Sequence, residues 1–437
     1  MTIEEMKKAV SSAIDKNRDK IIAIGESIFR EPELGFKEFK TAQKVKTVFE
    51  ELGLSYKDGV ARTGVIALMP GKEHKFNVAV MGELDAVVSP DHPFADPQTG
   101  AAHSCGHFAQ IAAMLGVAYG LKDSGIMEEL SGDVSFMAVP AEEGVELEWR
   151  SEMMEKGEIS CLGGKQEFIK LGVFDNVDAL LMQHSLTYCD TMTVGGGTSM
   201  GFIAKIVKYH GKQCHGATPF KGVNALDAAR IGLTACDAVR TTFKDEDSVR
   251  FHPILTKGGE LVNVVPGFAQ IEAYVRANSE EALVDASTRL DRALKAGGDA
   301  LGAKCEIINI PGYLFPVVSP ELKKLTLANA RELMGENKVF DSNGQCTTDA
   351  NDVSNLIPTI HMMVGGARGV AHSGDYDIEN PELSYIKAAK VLAMTVVDLL
   401  ADGAKNGLNV KENYKAPHTK ETYIKLLESI KNGERLS

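Results

Sequence analysis

Between Phe202 and Ile310 the hydrophobic pattern runs strand, helix, strand, strand, helix, strand. The segments are Phe202–Tyr209, Val223–Thr242, Val249–Leu255, Ala269–Arg276, Glu280–Ala296 and Lys304–Ile310. A βαββαβ order over about one hundred residues specifies a split-βαβ, ferredoxin-like unit of ordinary domain size. The pattern on either side is different. Upstream, helical spacing at Ile21, Ile24 and Ile28 and through Ala42 to Leu52 alternates with short apolar runs at Val65–Met69, Val78–Met81, Val134–Pro140 and Ala179–Met182. Runs of this length, punctuated by Gly, Pro, Asp or Asn, are expected for strands buried inside a sheet. Downstream the same alternation returns. Ser319-Pro320 starts a helix through Leu333, Thr359–Val364 reads as a strand, and Leu383–Leu400 reads as an amphipathic helix. The expected architecture is therefore α/β. One discontinuous domain with a mainly parallel or mixed sheet is formed by residues 1–195 and 312–437, and a smaller domain, 196–311, is inserted near Val194-Gly-Gly-Gly-Thr198.

A chain of 437 residues exceeds one ordinary core, which agrees with two domains. The formal charge of -13 argues against nucleic acid and against an anionic membrane surface, both of which reward a basic face. It leaves room for a carboxylate substrate in a locally positive pocket. No apolar run reaches the roughly 20 residues of a membrane span, and the N-terminus has no signal-like apolar stretch. A cytoplasmic location is the expectation. Seven scattered cysteines, at 105, 161, 189, 214, 236, 305 and 346, do not form a disulfide framework.

Candidate metal donors cluster just beyond predicted strand ends, where open α/β sheets place their sites. Glu83 and Asp85 follow one strand, with His103-Ser-Cys105-Gly-His107 further on. Glu142-Glu143 follow the next, His184 ends a third, and His372 follows a fourth and its Gly-rich turn. Singly, each has a structural reading: a solvated loop for Glu83 and Asp85, a helix start for the Glu pair, a hydrogen-bonded histidine at a strand end. Together, Cys105, His107, Glu143, His184 and His372 supply five ligands from four strand ends. That is too many for one tetrahedral zinc and suits two divalent ions. Glu142 beside them is placed to act as general base.

Four segments resemble the di-metal aminoacylase and carboxypeptidase-G amidohydrolases: Gly82-Glu-Leu-Asp-Ala86, His103-Ser-Cys-Gly-His107, Pro140-Ala-Glu-Glu-Gly144 and Ala371-His-Ser373. The best-matching branch contains aminobenzoyl-glutamate hydrolases, indole-acetyl-amino-acid hydrolases and related dipeptidases. Two further segments, Gly164–Asp178 and Thr347–Ser354, are similar to its aminobenzoyl-glutamate hydrolase-like group. The resemblance implies a zinc-peptidase-type catalytic domain with an inserted lid and dimerisation domain, and so a homodimer. It implies two Zn or Mn ions on the five ligands above, Glu142 as base, and Asp85 orienting a ligand. In the lid, His215, within Gly211–Pro219, would polarise the scissile carbonyl across the dimer. Asn263 and Arg276 would bind the substrate carboxylate. The substrate would be a small amide: an N-acyl amino acid, aminobenzoyl-glutamate or a dipeptide.

Two departures from the family pattern stand out. Phe108 occupies a position that is usually Asp or Asn, removing a polar partner near the metals. Val145–Leu162, around the only tryptophan, Trp149, is an additional stretch expected to narrow or line the substrate pocket. Two other functions compete: a non-catalytic or partner-dependent subunit of a heteromeric amidohydrolase, and a cysteine hydrolase using Cys105 with His107.

Overall fold

The computed structural model describes residues 1–195, 200–341 and 347–433. Cys346 and most of the glycine run proposed as the domain junction lie outside the described residues. The chain divides into two compact units. The first comprises the described residues within Met1–Val145, Gly163–Thr198 and Pro316–Thr419. The second comprises the described residues within Glu146–Leu162, Ser199–Phe315 and Lys420–Ser437. Two segments assigned by sequence to the first domain, Glu146–Leu162 and the C-terminal helix Lys420–Asn432, thus cluster with the second.

The first unit is organised by a nine-stranded mixed sheet. Its centre is four adjacent parallel strands: Asp133–Val139, Asn77–Glu83, Ala179–Thr187 and Thr359–Arg368. Val, Met, Leu and Ile dominate these strands, and nearly every position is buried, as a sheet covered on both faces requires. Because the strands are parallel, their C-terminal ends fall along one edge. Glu83, the Glu142-Glu143 pair, His184 and His372 come from that edge or the loops leaving it.

The helix His107–Ser124 is buried on all sides rather than along one stripe. Gly116 and Gly120 let it approach neighbouring elements, since a Cβ would lie 2.9 Å from that of Ala389 at the first and 2.6 Å from Ile14 Cγ1 at the second. The expected amphipathic helix at 383–400 is likewise mostly buried. It opens with a π-helical turn, Glu382–Lys387, and continues as Ala388–Asn413 with a non-helical break at Ala401–Ala404. No helix among the described residues is long and apolar enough to cross a membrane.

The second unit contains a four-stranded antiparallel sheet in the spatial order Arg250–Lys257, Phe268–Ala277, Gly201–His210, Lys304–Pro311. This is the ferredoxin-like order, with helices Ala225–Arg240 and Glu280–Leu301 in the expected connections. Alternation along Gly201–His210 separates two faces. On one, Lys205 Nζ donates to Ser287 Oγ on the second helix at 2.7 Å. On the other, Phe202, Ala204 and Ile206 cluster with Ile310, Tyr313, Leu147 and Leu162. Two leucines of the additional stretch, Leu147 and Leu162, therefore pack on the sheet's second face.

Candidate metal centre

The motif His103–His107 turns sharply into its helix. Gly106 sits at φ 94, in the left-handed region, immediately before the first helical residue, His107. A Cβ there would collide with the hydroxyls of Ser185 and Tyr376. Gly106→Ala is expected to destabilise the protein by roughly 2–5 kcal/mol, the sum of left-handed strain and overpacking. A chemical denaturation midpoint within error of the parent would contradict this.

Cys105 lies at the centre of the donor cluster. His184 Nε2 lies 3.4 Å from its sulfur and His372 Nε2 lies 3.3 Å from it. His372 Nε2 is also 3.2 Å from Glu143 Oε1. Two triads follow, Cys105 with His107 and His184, and Cys105 with Glu143 and His372, each with its donor atoms within 4.8 Å of one another. A third triad, Glu83 with His107 and Glu142, adjoins the first through His107.

The ring nitrogens facing away from the cluster are tied down. His107 Nδ1–H donates to the Asp85 carbonyl at 2.9 Å and lies 3.2 Å from the Asp85 carboxylate. The other Asp85 oxygen accepts from the Glu143 amide at 2.8 Å. His184 Nδ1–H donates to the Ser185 carbonyl at 2.9 Å. These bonds leave both Nε2 atoms as the free coordinating positions. His107 Nε2 and Glu143 Oε1 are buried without a hydrogen bond of good geometry, although Glu83 Oε2 and His372 Nε2 lie 3.1 and 3.2 Å from them. Buried polar atoms normally have partners, and a donor set of thiol, imidazole and carboxylate at these separations fits divalent cations.

In the absence of cations, electrostatics favours protons on this cluster. Burial and Glu143 push the Cys105 thiol well above its ordinary range. Burial opposes charge on His107, but Glu83, Cys105 and Asp85 outweigh it and raise that pKa. Burial, Glu83 and Glu143 raise Glu142. A cation must displace the Cys105 and His107 protons, so its affinity is expected to rise with pH across the neutral range, with proton release on binding. Calorimetry in buffers of different ionisation enthalpy would measure that release. A pH-independent affinity would contradict it. The raised thiol also argues against a cysteine nucleophile, which requires a lowered pKa.

Sequence reasoning passed over several residues of this site. Glu38 is fully buried, with its pKa pushed up to about 8 by burial and Asp85. It accepts from the Ala141 amide at 2.8 Å, bracing a left-handed residue (φ 54) directly before Glu142. Gln110 grips Glu83 twice, accepting from its amide at 3.2 Å and donating to its carboxylate at 2.6 Å. His361 lies beside His184 with ring centroids 5.8 Å apart, and burial followed by His184 holds its pKa down to about 3. Glu83, which the sequence places among the candidate donors, is 1% exposed at the end of its strand, so the alternative of a solvated loop does not hold for it. Phe108 turns away into an aromatic cluster, 4.7 Å from Phe29 and 6.2 Å from Tyr385 between centroids.

The three residues expected on the lid lie in the second unit. His215 is in a two-residue strand paired with Val264–Val265, and its Nε2 is 3.2 Å from Asn263 Nδ2. Arg276 lies opposite Phe202 in the sheet, its guanidinium 5.1 Å from that ring centroid.

The model of the family described as Peptidase family M20/M25/M40 matches residues 79–398. The mouse (Mus musculus) Xaa-Arg dipeptidase is 25% identical over 427 residues, covering 91% of this chain and 90% of its own. A crystal structure of a dinuclear metal binding peptidase of the M20 family from Bacillus subtilis superposes with a TM-score of 0.65 at 21% identity, covering 88% of this chain and 99% of that one. The aminobenzoyl-glutamate utilization protein from Klebsiella pneumoniae gives 0.66 at 18% identity, covering 92% and 100%. These two structures agree with the fold described above.

Proposed function

We propose, from the premise that the chain belongs to the M20/M25/M40 peptidase family and is one of its metallo-hydrolases, that it cleaves the amide bond of a small N-acyl amino acid, aminobenzoyl-glutamate-like compound or dipeptide. The observation carrying this reading is the pair of donor triads that share Cys105, with Glu142 beside them. Relatives named as dipeptidase and aminobenzoyl-glutamate utilization protein support the substrate range.

Cys105, His107 and His184 would hold one cation, and Cys105, Glu143 and His372 the other, as Zn or Mn. Bound there, the cations supply Lewis acidity toward the scissile carbonyl and lower the pKa of a water. Asp85 orients His107 and Glu143 through the bonds described. Glu142 takes the proton that the attacking water loses and returns it to the departing amine nitrogen. His215 would stabilise the developing oxyanion, and Asn263 and Arg276 would bind the substrate carboxylate, with homodimerisation through the second unit.

A panel of N-acyl amino acids, aminobenzoyl-glutamate and dipeptides, assayed with added Mn or Zn and again after chelation, tests the proposal. Metal-dependent release of a free amine supports it. No turnover anywhere on the panel by protein shown to carry two cations would sink the substrate range.

A further inference from the structure

Lys165 is an unusual residue to find near a cation site. It occupies the first turn of the helix Gly164–Lys170 and is 0% exposed. Its ammonium lies 2.5 Å from Glu83 Oε1 and 2.5 Å from Asp349 Oδ1, and its backbone N–H donates to Asp349 Oδ2 at 2.9 Å. Gly164 makes the placement possible, because a Cβ there would collide with the Pro140 carbonyl on the strand end leading to Glu142. Burial works against charge on Lys165, but Asp349 and Glu83 hold its pKa above the ordinary range. The two carboxylate contacts favour the charged ammonium.

Glu83 faces the other way as well. Its Oε2 is 3.1 Å from His107 Nε2, the atom left free for a cation. Two donors each about 2.1 Å from one metal ion lie about 3–3.5 Å apart. Gln110 Nε2 holds that same Oε2 at 2.6 Å and Lys165 holds Oε1, and a carboxylate released from the charged member of this pair would be drawn onto a cation seated at His107. A catalytic metal site works only while one position stays open to water or substrate.

We propose that Lys165, clamped by Asp349, is a positioning residue that keeps Glu83 engaged and out of the coordination shell, so that the cation on Cys105, His107 and His184 retains an open position. Asp349 holds the ammonium through Oδ1 and the Lys165 backbone N–H through Oδ2, which keeps the ammonium from following Glu83 toward the metal. This inference rests on the metal reading above. It also gives one physical role to two segments, Gly164–Asp178 and Thr347–Ser354, whose residues meet nowhere in the sequence.

The test compares the full-length parent with Lys165→Met and with Lys165→Met combined with Glu83→Gln. Mn and Zn affinity is read by competition with a chelating indicator, and kcat at saturating metal. For a folded Lys165→Met, cation affinity is expected to rise by about tenfold or more while kcat falls by about tenfold or more, the scale on which groups behind metal ligands act. Adding Glu83→Gln should reverse the tightening. A merely structural lysine would weaken binding or leave it unchanged, and either result overturns the inference, as does tightening that Glu83→Gln leaves in place. If Lys165→Met does not fold, Asp349→Asn loosens the same clamp and is held to the same signs. A parent that binds no Mn or Zn refutes the metal reading itself. A parent with two cations and no tightening in the variant refutes this inference alone.

Discussion

Glu142→Gln is expected to lower kcat by about a thousandfold, within the 10²–10⁴ range for a lost general acid–base, which corresponds to about 4 kcal/mol of activation free energy. Metal content and fold should be unchanged. Glutamine matches the size of glutamate and mimics its protonated form, which burial, Glu83 and Glu143 already favour in the cation-free protein. Glu142 belongs to neither triad that contains Cys105, so losing its charge removes no donor from them. Metal analysis alongside steady-state kinetics checks both halves. Turnover within a few-fold of the parent, with two cations bound, would remove Glu142 from the proposed mechanism.

Cys105→Ala should have a larger effect on metal content than any other single donor substitution. Its sulfur belongs to both triads, whereas His184 belongs to one and His372 to the other. Removing it leaves each cation with two protein donors, so affinity should fall by more than about a hundredfold, beyond the effect of groups behind the ligands. Activity should fall with it. His372→Ala, by contrast, should retain one cation on the triad that keeps His107 and His184. The two stoichiometries, measured by elemental analysis after dialysis against a fixed free-metal concentration, separate a shared donor from two independent sites. Loss of one cation in both variants would show that Cys105 serves only one of them.

The site was legible in the sequence wherever a chemically distinctive residue stood next to a strand end. The Glu142-Glu143 pair announces itself because paired carboxylates are costly to bury without a task, and Cys105 and His107 because two metal-binding side chains stand one glycine apart. The same holds for the ferredoxin-like unit, whose strand and helix periods alternate cleanly from Phe202 to Ile310. Where the pattern was ambiguous, burial decided. The 383–400 segment reads as amphipathic, yet the structure encloses nearly all of it. The Val145–Leu162 stretch begins next to the Glu pair but packs its leucines elsewhere. Phe108 adjoins a candidate ligand in sequence, while its ring points into an aromatic core.

Glu38, Gln110, Lys165 and Asp349 are different. Nothing in the local sequence of Glu38 or Gln110 distinguishes them from surface residues, the segments holding Lys165 and Asp349 stand out only by resemblance, and each acts on an atom far away along the chain. Glu38 braces Ala141 from 103 residues upstream, and Lys165 meets Asp349 across 184 residues. Local periodicity and short motifs report which residues a segment will bury and which chemistry it carries, because those depend on neighbours a few positions away. By itself the sequence determined the α/β plan with an inserted antiparallel unit and picked out the side chains that the structure gathers around Cys105. Only the tertiary structure decided which carboxylate faces which imidazole, ammonium or amide, because partner choice inside a low-dielectric core is set by distances between strand ends that no local pattern encodes.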